Sequence, residues 1–315
     1  MKEKLLIILG PTACGKTDLA VELAKKHNGE IISGDSMQVY RRLNIGTAKI
    51  SQDEAQGVTH HLIDIIEPNQ AYTVADFQSA ARELISDISN RGRLPIIAGG
   101  TGLYLSSLVS PYLFTEETAA AREVREGLRV RLQAEGAEFM HGLLQAVDPK
   151  AAAKIHYNDH QRLLRALEVY LLSGEPISSL QQQSRKQYDC PYDLQMVGLT
   201  MERAQLYAKI ERRVDIMLEN GLVEEVKDLL DAGYSAELNC MKGLGYEQIV
   251  GYLQGKYDLN EAVRLIKRDT RHFAKRQFTW FKRDERIKWF DVGDYVDKQA
   301  LINGVEEYLQ ESGLL

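Results

Sequence analysis

The run Gly10-Pro11-Thr12-Ala13-Cys14-Gly15-Lys16-Thr17 spaces two glycines, a lysine and a hydroxyl as G-x-x-x-x-G-K-[ST]. A di- or triphosphate is the ligand that spacing suits. The glycines let backbone N–H groups turn inward, and the helix that follows aims its positive dipole end at the anion. Lys16 adds a full charge, and the Thr17 hydroxyl stands where it can ligate Mg²⁺. Two further segments carry reactive types: Ser33-Gly34-Asp35-Ser36-Met37-Gln38-Val39-Tyr40-Arg41 and Ile96-Ile97-Ala98-Gly99-Gly100-Thr101-Gly102-Leu103-Tyr104. Asp35 suits a metal ligand or a general base, with helix capping as its structural alternative. Gln38 offers an amide that matches the edge of a nucleobase.

Such side chains need a frame to bring them together. Strand-like runs at 5–9, 30–33, 61–65 and 94–98 alternate with helix-like runs at 16–27, 74–91 and 104–109. This alternation predicts an α/β fold, a P-loop NTPase-like core whose parallel sheet is wrapped by helices. Ligands of such sheets bind beyond the carboxyl ends of the strands, where all three loops emerge. Lys16, Thr17, Asp35, Ser36, Gln38 and Thr101 are therefore expected around one crevice.

From about residue 115 to 187 the strand signal vanishes. Helices are expected at 116–136, 138–147 and 162–172, with Leu163, Leu164, Leu167 and Leu171 building one face of the last and Gly174 and Pro176 stopping it. The sheet resumes at 194–199. A helical run at 203–232, broken near Gly221, is followed by a long helix at 261–281 and a last strand at 287–290. The expected organisation is an α/β core with C-terminal helices from 1–115 and 190–315, carrying an all-helical insertion at 116–189.

The chain has 315 residues, 44% apolar and 27% charged, which is ordinary for a globular protein. Its three cysteines, Cys14, Cys190 and Cys240, form no C-x-x-C pair, which argues against a disulfide framework and against zinc. No apolar run approaches the ~20 residues of a membrane span. The N-terminus runs straight into a strand and its phosphate loop, so a cytoplasmic location is expected. Net charge is −6, yet residues 264–288 hold ten Lys/Arg against three acids, a local +7 that leaves −13 for the rest. That concentration is the footprint of a phosphate-backbone contact, with a solvated helix face as the alternative.

GPTACGKT, SGDSMQVYR, AGGTGLY, NDHQRLLRALEV, GLGYEQI and RDTRHFAKRQFTWFKR, taken in this order from Gly10 to Arg283, resemble the bacterial tRNA dimethylallyltransferases (tRNA isopentenyltransferases, the IPP transferase family). The resemblance implies transfer of a dimethylallyl group from dimethylallyl diphosphate to the exocyclic amine of the adenine 3′ of the anticodon, position 37. The acceptors are tRNAs reading codons that begin with U, and diphosphate leaves. It implies Mg²⁺ as cofactor, the tRNA anticodon stem-loop as partner, no membrane, no zinc, and a monomer.

Residue by residue, the resemblance makes Gly10, Pro11, Thr12, Ala13, Cys14, Gly15, Lys16 and Thr17 the diphosphate loop, with Thr17 on Mg²⁺. Asp35 becomes the general base. Thr101 lies near the bridging oxygen or attacking nitrogen, and Arg213 near the diphosphate, with the adjacent Arg212 as its rival. Extrusion of the target base into the crevice puts Asp35, Ser36, Met37, Gln38 and Thr101 against tRNA. Asp159, His160, Gln161, Arg162 and Leu163 of the insertion, together with Lys275, Arg276 and Gln277, match tRNA-contacting segments. Arg125 is a further candidate for RNA contact.

Departures are few. Cys14 stands where the loop often carries serine, no C-terminal zinc finger of the eukaryotic relatives is present, and no long apolar strand ends in a Walker-B aspartate. A P-loop nucleotide or small-molecule kinase is the alternative; it predicts tight ATP binding and leaves the basic helix unexplained. A prenylator of free adenine nucleotides would need no insertion. A nucleotide-gated RNA-binding switch would need no catalytic base.

Overall fold

The computed structural model describes residues 2–111 and 118–315, apart from the side chains of residues 185–187. It divides into two compact units, Met1–Val109 with Cys190–Leu315, and Ser110–Asp189. The sequence boundary at 115/116 lies outside the described residues.

In the first unit the chain runs β1 (Glu3–Leu9), α1 (Lys16–Lys26), β2 (Gly29–Ser33), α2 (Gln52–Ala55), β3 (His60–His61), α3 (Val74–Asn90), β4 (Leu94–Gly99) and α4 (Gly102–Val109). After the second unit it resumes with β5 (Tyr192–Thr200). The second unit contains α5 (Ala119–Glu135), α6 (Ala137–Val147), α7 (Pro149–Ala152), α8 (His160–Ser173) and α9 (Ile177–Gln187). The first unit ends with α10 (Arg203–Glu219), α11 (Leu222–Asp231), α12 (Tyr246–Leu253), α13 (Leu259–Phe281), β6 (Ile287–Asp291) and α14 (Lys298–Glu311).

The six strands pair in the order β3-β2-β4-β1-β5-β6, every pair parallel. Such a sheet is covered on both faces, so its inner strands are apolar on both sides. β1 obeys this: Leu5, Ile7 and Leu9 join the cluster containing Phe77 and Ile85 of α3 and Leu105 of α4. Leu6 and Ile8 join the opposite cluster with Leu19 and Leu23 of α1 and Ile302 and Val305 of α14. Leu9 pairs with both Gly99 and Gly198, and Ser33 with Ala98, so these strands finish level and release their loops along one edge. Beyond that edge a third cluster joins Val39, Tyr40 and Leu43 to α11, α12 and α13.

The strand expected at 61–65 does not form. Pairing to β2 ends at His61, because Leu62 and Asp64 adopt left-handed φ of 60° and 56° that break an extended strand. His61 instead turns its ring to buried Glu30, 2.7 Å away, where Arg91 and Arg93 also converge. The expected break at Gly221 is real: it has φ 93° and separates α10 from α11. The segment GLGYEQI, which reads as a turn, continues into α12.

The second unit is helical in its described residues. α5, α6 and α8 close around Leu128, Met140, Leu144, Leu163 and Leu167. The Asp148 carboxylate ties α7 to α9, accepting from the Ala151 N–H at 3.0 Å, the Ser178 N–H at 2.9 Å and the Ser178 hydroxyl at 2.7 Å.

Candidate functional site

The loop from β1 to α1 is shaped as an anion cradle. Gly10 has φ 142°, and a Cβ there would collide with the Leu199 carbonyl at the end of β5. Only glycine lets the loop leave this close to its neighbour strand. Ala13 sits at φ 66° and Gly15 at φ 93°; left-handed residues in such a turn rotate successive N–H groups to one side. At Ala13 the conformation costs roughly 1–2 kcal/mol. No side chain caps α1, whose first N–H groups are left for an anion.

Lys16 folds back over the loop, its Nζ donating to the Pro11 carbonyl at 2.8 Å. Burial pushes its ammonium below the usual lysine range, and nearby Arg213 lowers it further while Cys14 and Asp35 act the other way. A partly desolvated lysine waiting beside a second cation is poised for a polyanion. Thr17 is exposed at the first turn of α1. Mg²⁺ usually takes one or two protein groups and fills its octahedron with phosphate oxygens and water. An exposed hydroxyl beside the cradle fits that donor set.

Asp35 and Thr101 are held together by the loops after β2 and β4. The Gly34 N–H bonds the Ala98 carbonyl at 2.8 Å, and the Thr101 N–H bonds the Gly34 carbonyl at 3.2 Å. The Thr101 hydroxyl accepts the Ser36 N–H at 3.1 Å and donates to the Ser36 hydroxyl at 3.3 Å. One Asp35 oxygen accepts the Met37 N–H at 2.8 Å, and the other has no hydrogen-bond partner among the described residues. Arg213 on α10 reaches the same place, its Nη1 donating to the Thr12 hydroxyl at 3.5 Å. Burial pulls its guanidinium below the ordinary range, and Asp35 opposes that. Its neighbour Arg212 is exposed, so the fold turns Arg213 inward and Arg212 outward.

Thr12, Asp35, Ser36, Met37, Thr101 and Arg213 line one cavity of about 260 Å³, whereas Lys16 and Thr17, expected around the same crevice, do not line it. Its remaining wall includes Val214, Met217, Leu244, Ile266 and Phe273, an apolar surface no sequence motif announced. Its cause is the packing of α10 and α13 over the carboxyl edge of the sheet.

Other expected residues are placed elsewhere. Gln38 does not line the cavity; its amide accepts from the Ser33 hydroxyl at 2.9 Å and donates to the Thr47 and Ala48 carbonyls at 3.3 and 3.4 Å. Gln277 is 7% exposed and bonded within the fold, not on the surface. Lys275 and Arg276 are exposed on α13, Arg276 also lining the cavity, and neither makes an ion pair among the described residues. Of the basic run, Lys267 and Arg271 are engaged with Asp215 and Glu211 of α10, each at 2.6 Å. Within the second unit, His160, Gln161 and Arg162 are exposed at the start of α8, which Asp159 caps through the Arg162 N–H at 3.2 Å. Leu163 is wholly buried in that unit's core, as its helical spacing demands. Arg125 pairs at 2.8 Å with buried Glu168, a contact that stabilises the helices. Among the described residues no cluster of three or more His, Cys, Asp or Glu could hold a metal, and the three cysteines are free. No helix among them is long and apolar enough to cross a membrane.

An all-parallel sheet with a glycine loop, lysine and hydroxyl at the end of β1 defines a P-loop-like α/β protein with a helical insertion. A sequence model described as IPP transferase matches residues 38–284, and the chain belongs to that family. It is 53% identical to the tRNA dimethylallyltransferase of Carboxydothermus hydrogenoformans, covering 100% of this chain and 99% of that one. Identity to the tRNA dimethylallyltransferase of Heliobacterium modesticaldum is 51%, over 95% and 93%. The crystal structure of the full-length tRNA isopentenylpyrophosphate transferase of Bacillus halodurans superposes with TM-score 0.75 at 44% identity, over 99% and 97% of the two chains. A eukaryotic dimethylallyltransferase acting on tRNA superposes with TM-score 0.83 at 27% identity, over 98% of this chain and 80% of that one.

Proposed function

We propose that this protein transfers the dimethylallyl group of dimethylallyl diphosphate to the exocyclic amine of adenine 37, 3′ of the anticodon, in tRNAs reading U-starting codons. The products are N6-dimethylallyladenosine and diphosphate. The observation that carries this reading is the convergence of Thr12 from the phosphate loop, the Arg213 guanidinium, the Asp35 carboxylate and an apolar wall on one cavity. A kinase needs no apolar wall beside its phosphates; a five-carbon allylic tail does.

The residues divide the work. The 10–17 cradle, Lys16 and Arg213 hold the diphosphate and stabilise the charge that grows on it as the allylic C–O bond breaks. Met217, Leu244 and Ile266 take the tail and keep water from the cation. Asp35, with one oxygen anchored by Met37, accepts the proton of an amine whose lone pair is otherwise delocalised into the purine. Thr101 holds the Asp35 loop in register and stands beside the reacting atoms. Mg²⁺, ligated through Thr17, would add further charge neutralisation to the leaving group. Reaching the amine requires flipping the base out of the anticodon loop, which Lys275, Arg276 and the start of α8 would hold by its backbone. The same reading has the enzyme act as a monomer in the cytoplasm.

The test is incubation with labelled dimethylallyl diphosphate, Mg²⁺ and unmodified tRNA, beside ATP controls. Label in N6-dimethylallyladenosine after nuclease digestion is the expected result. Label only from ATP, or none, rejects the reading.

A further inference from the structure

Gln277 occupies an unusual place for a polar side chain. On α13 and 7% exposed, it accepts the Thr12 N–H at 2.9 Å through Oε1 and donates to the Gly100 carbonyl at 3.0 Å through Nε2. A glutamine amide has one acceptor and one donor end, and here both are spent on backbone groups of two different loops. The fit has no slack, since a Cβ on Gly100 would run into the amide nitrogen.

Both bonded groups neighbour functional side chains. Thr12 carries the hydroxyl that meets Arg213, and Gly100 precedes Thr101, which holds the Asp35 loop. The β1–β4 ladder ends at Leu9↔Gly99, so the strand pairing no longer sets the spacing of the loops beyond it. We propose that Gln277 is a positioning residue that fixes the gap between the diphosphate loop and the acceptor loop, and hence the approach of the amine to the allylic carbon. This rests on the prenyl-transfer reading above. Gln277 touches neither reactant; it acts through Thr12 and Gly100.

The test compares wild type, Q277L and Q277E in kcat for tRNA prenylation, with separate binding of dimethylallyl diphosphate and tRNA. A misplacement near 1 Å costs up to ~10²-fold in rate, so Q277L should lose about 10- to 100-fold in kcat with both affinities within about three-fold of wild type. Q277E adds a signature that simple loosening of the fold would not produce. The ionised carboxylate accepts from Thr12 but faces the Gly100 carbonyl with no proton; the protonated form restores both bonds. Its kcat relative to wild type should therefore rise as pH falls, while the Q277L ratio stays flat. Taking ratios removes the pH dependence of wild type itself, because Lys16, Asp35, Arg213 and Arg276 are common to all three proteins. Q277L with wild-type kcat, a loss confined to diphosphate affinity, or a Q277E ratio independent of pH overturns the proposal. Should Q277L not fold, the near-isosteric Q277E decides alone through its pH ratio. An inactive wild type sinks the prenyl-transfer reading and this one together, whereas an active wild type with unaffected variants sinks only this one.

Discussion

Replacing Arg213 by alanine removes one of the two cations proposed to hold the diphosphate, along with its contact to the Thr12 hydroxyl. Arg213 is half-buried, its guanidinium lowered by burial and supported by Asp35. Two unit charges about 4 Å apart interact by roughly 4 kcal/mol at an effective dielectric of 20, and residual solvent lowers that to about 3 kcal/mol. Because the leaving group gains charge on ionisation, most of this appears in the barrier, a loss of about 10²-fold in kcat. Arg213→Lys keeps charge but loses the planar fork, so about 10-fold is expected. A second readout comes from Lys16, which Arg213 pushes down in addition to burial. The charged lysine is the active form, so activity falls as pH rises through its pKa. Arg213→Ala moves that alkaline limb to higher pH. Steady-state kinetics with dimethylallyl diphosphate and tRNA across pH measure both, with exposed Arg212→Ala as the control. Activity within about three-fold of wild type in Arg213→Ala, or an equal loss in Arg212→Ala, refutes the assignment.

Asp35→Ala should lower turnover by ~10²–10⁴-fold while tRNA affinity stays similar; near-normal turnover removes it as the base. Charge reversal at Lys275 and Arg276 should flatten the dependence of tRNA affinity on salt, by about 0.7–0.9 in log–log slope for each phosphate no longer neutralised. An unchanged slope puts the RNA elsewhere. Stability should fall in acid through Glu30. Hydrogen bonds from Arg91, and then from His61 and Arg93, hold its carboxyl down at about 2, against 4.5 when unperturbed. This group's contribution is complete above pH 4.5 and drains away as pH falls toward 2, on the order of 3 kcal/mol in all. Denaturant titrations of wild type and Glu30→Gln should differ in that window, and parallel curves would show the cluster to be neutral.

Local chemistry made much of this molecule legible. The Gly10–Thr17 spacing, β1 with its apolar run, and the break at Gly221 depend on residues adjacent in the chain, and each appears where pattern predicts. The stretch His61–Ile65 looks extended by residue type, whereas the left-handed turns at Leu62 and Asp64 answer to the packing of the 38–41 segment, whose Tyr40 bridges Ile66. Helices α12 and α14 carry weak or short patterns and owe their stability to burial, as with wholly buried Tyr246 and Val305. Among the site residues, Asp35 and Thr101 converge because the strand ends are level, which the α/β alternation foretold, whereas Arg213 arrives on α10 and is named only by the family resemblance. Leu163 reads as core from its helical spacing, whereas Arg125 and Gln277 read as RNA-contact candidates in a linear reading. Their burial or pairing arises from helices distant in sequence, and so does the apolar wall from α10 and α13.

The most direct measurement is a crystal structure with a non-ionising analogue of dimethylallyl diphosphate and an anticodon stem-loop bound together. The account predicts the diphosphate in the 10–17 loop and the flipped adenine amine within about 2.6–3.2 Å of the Asp35 carboxylate. An amine farther from Asp35 than a single bridging water can span, or a diphosphate seated away from the loop, contradicts it.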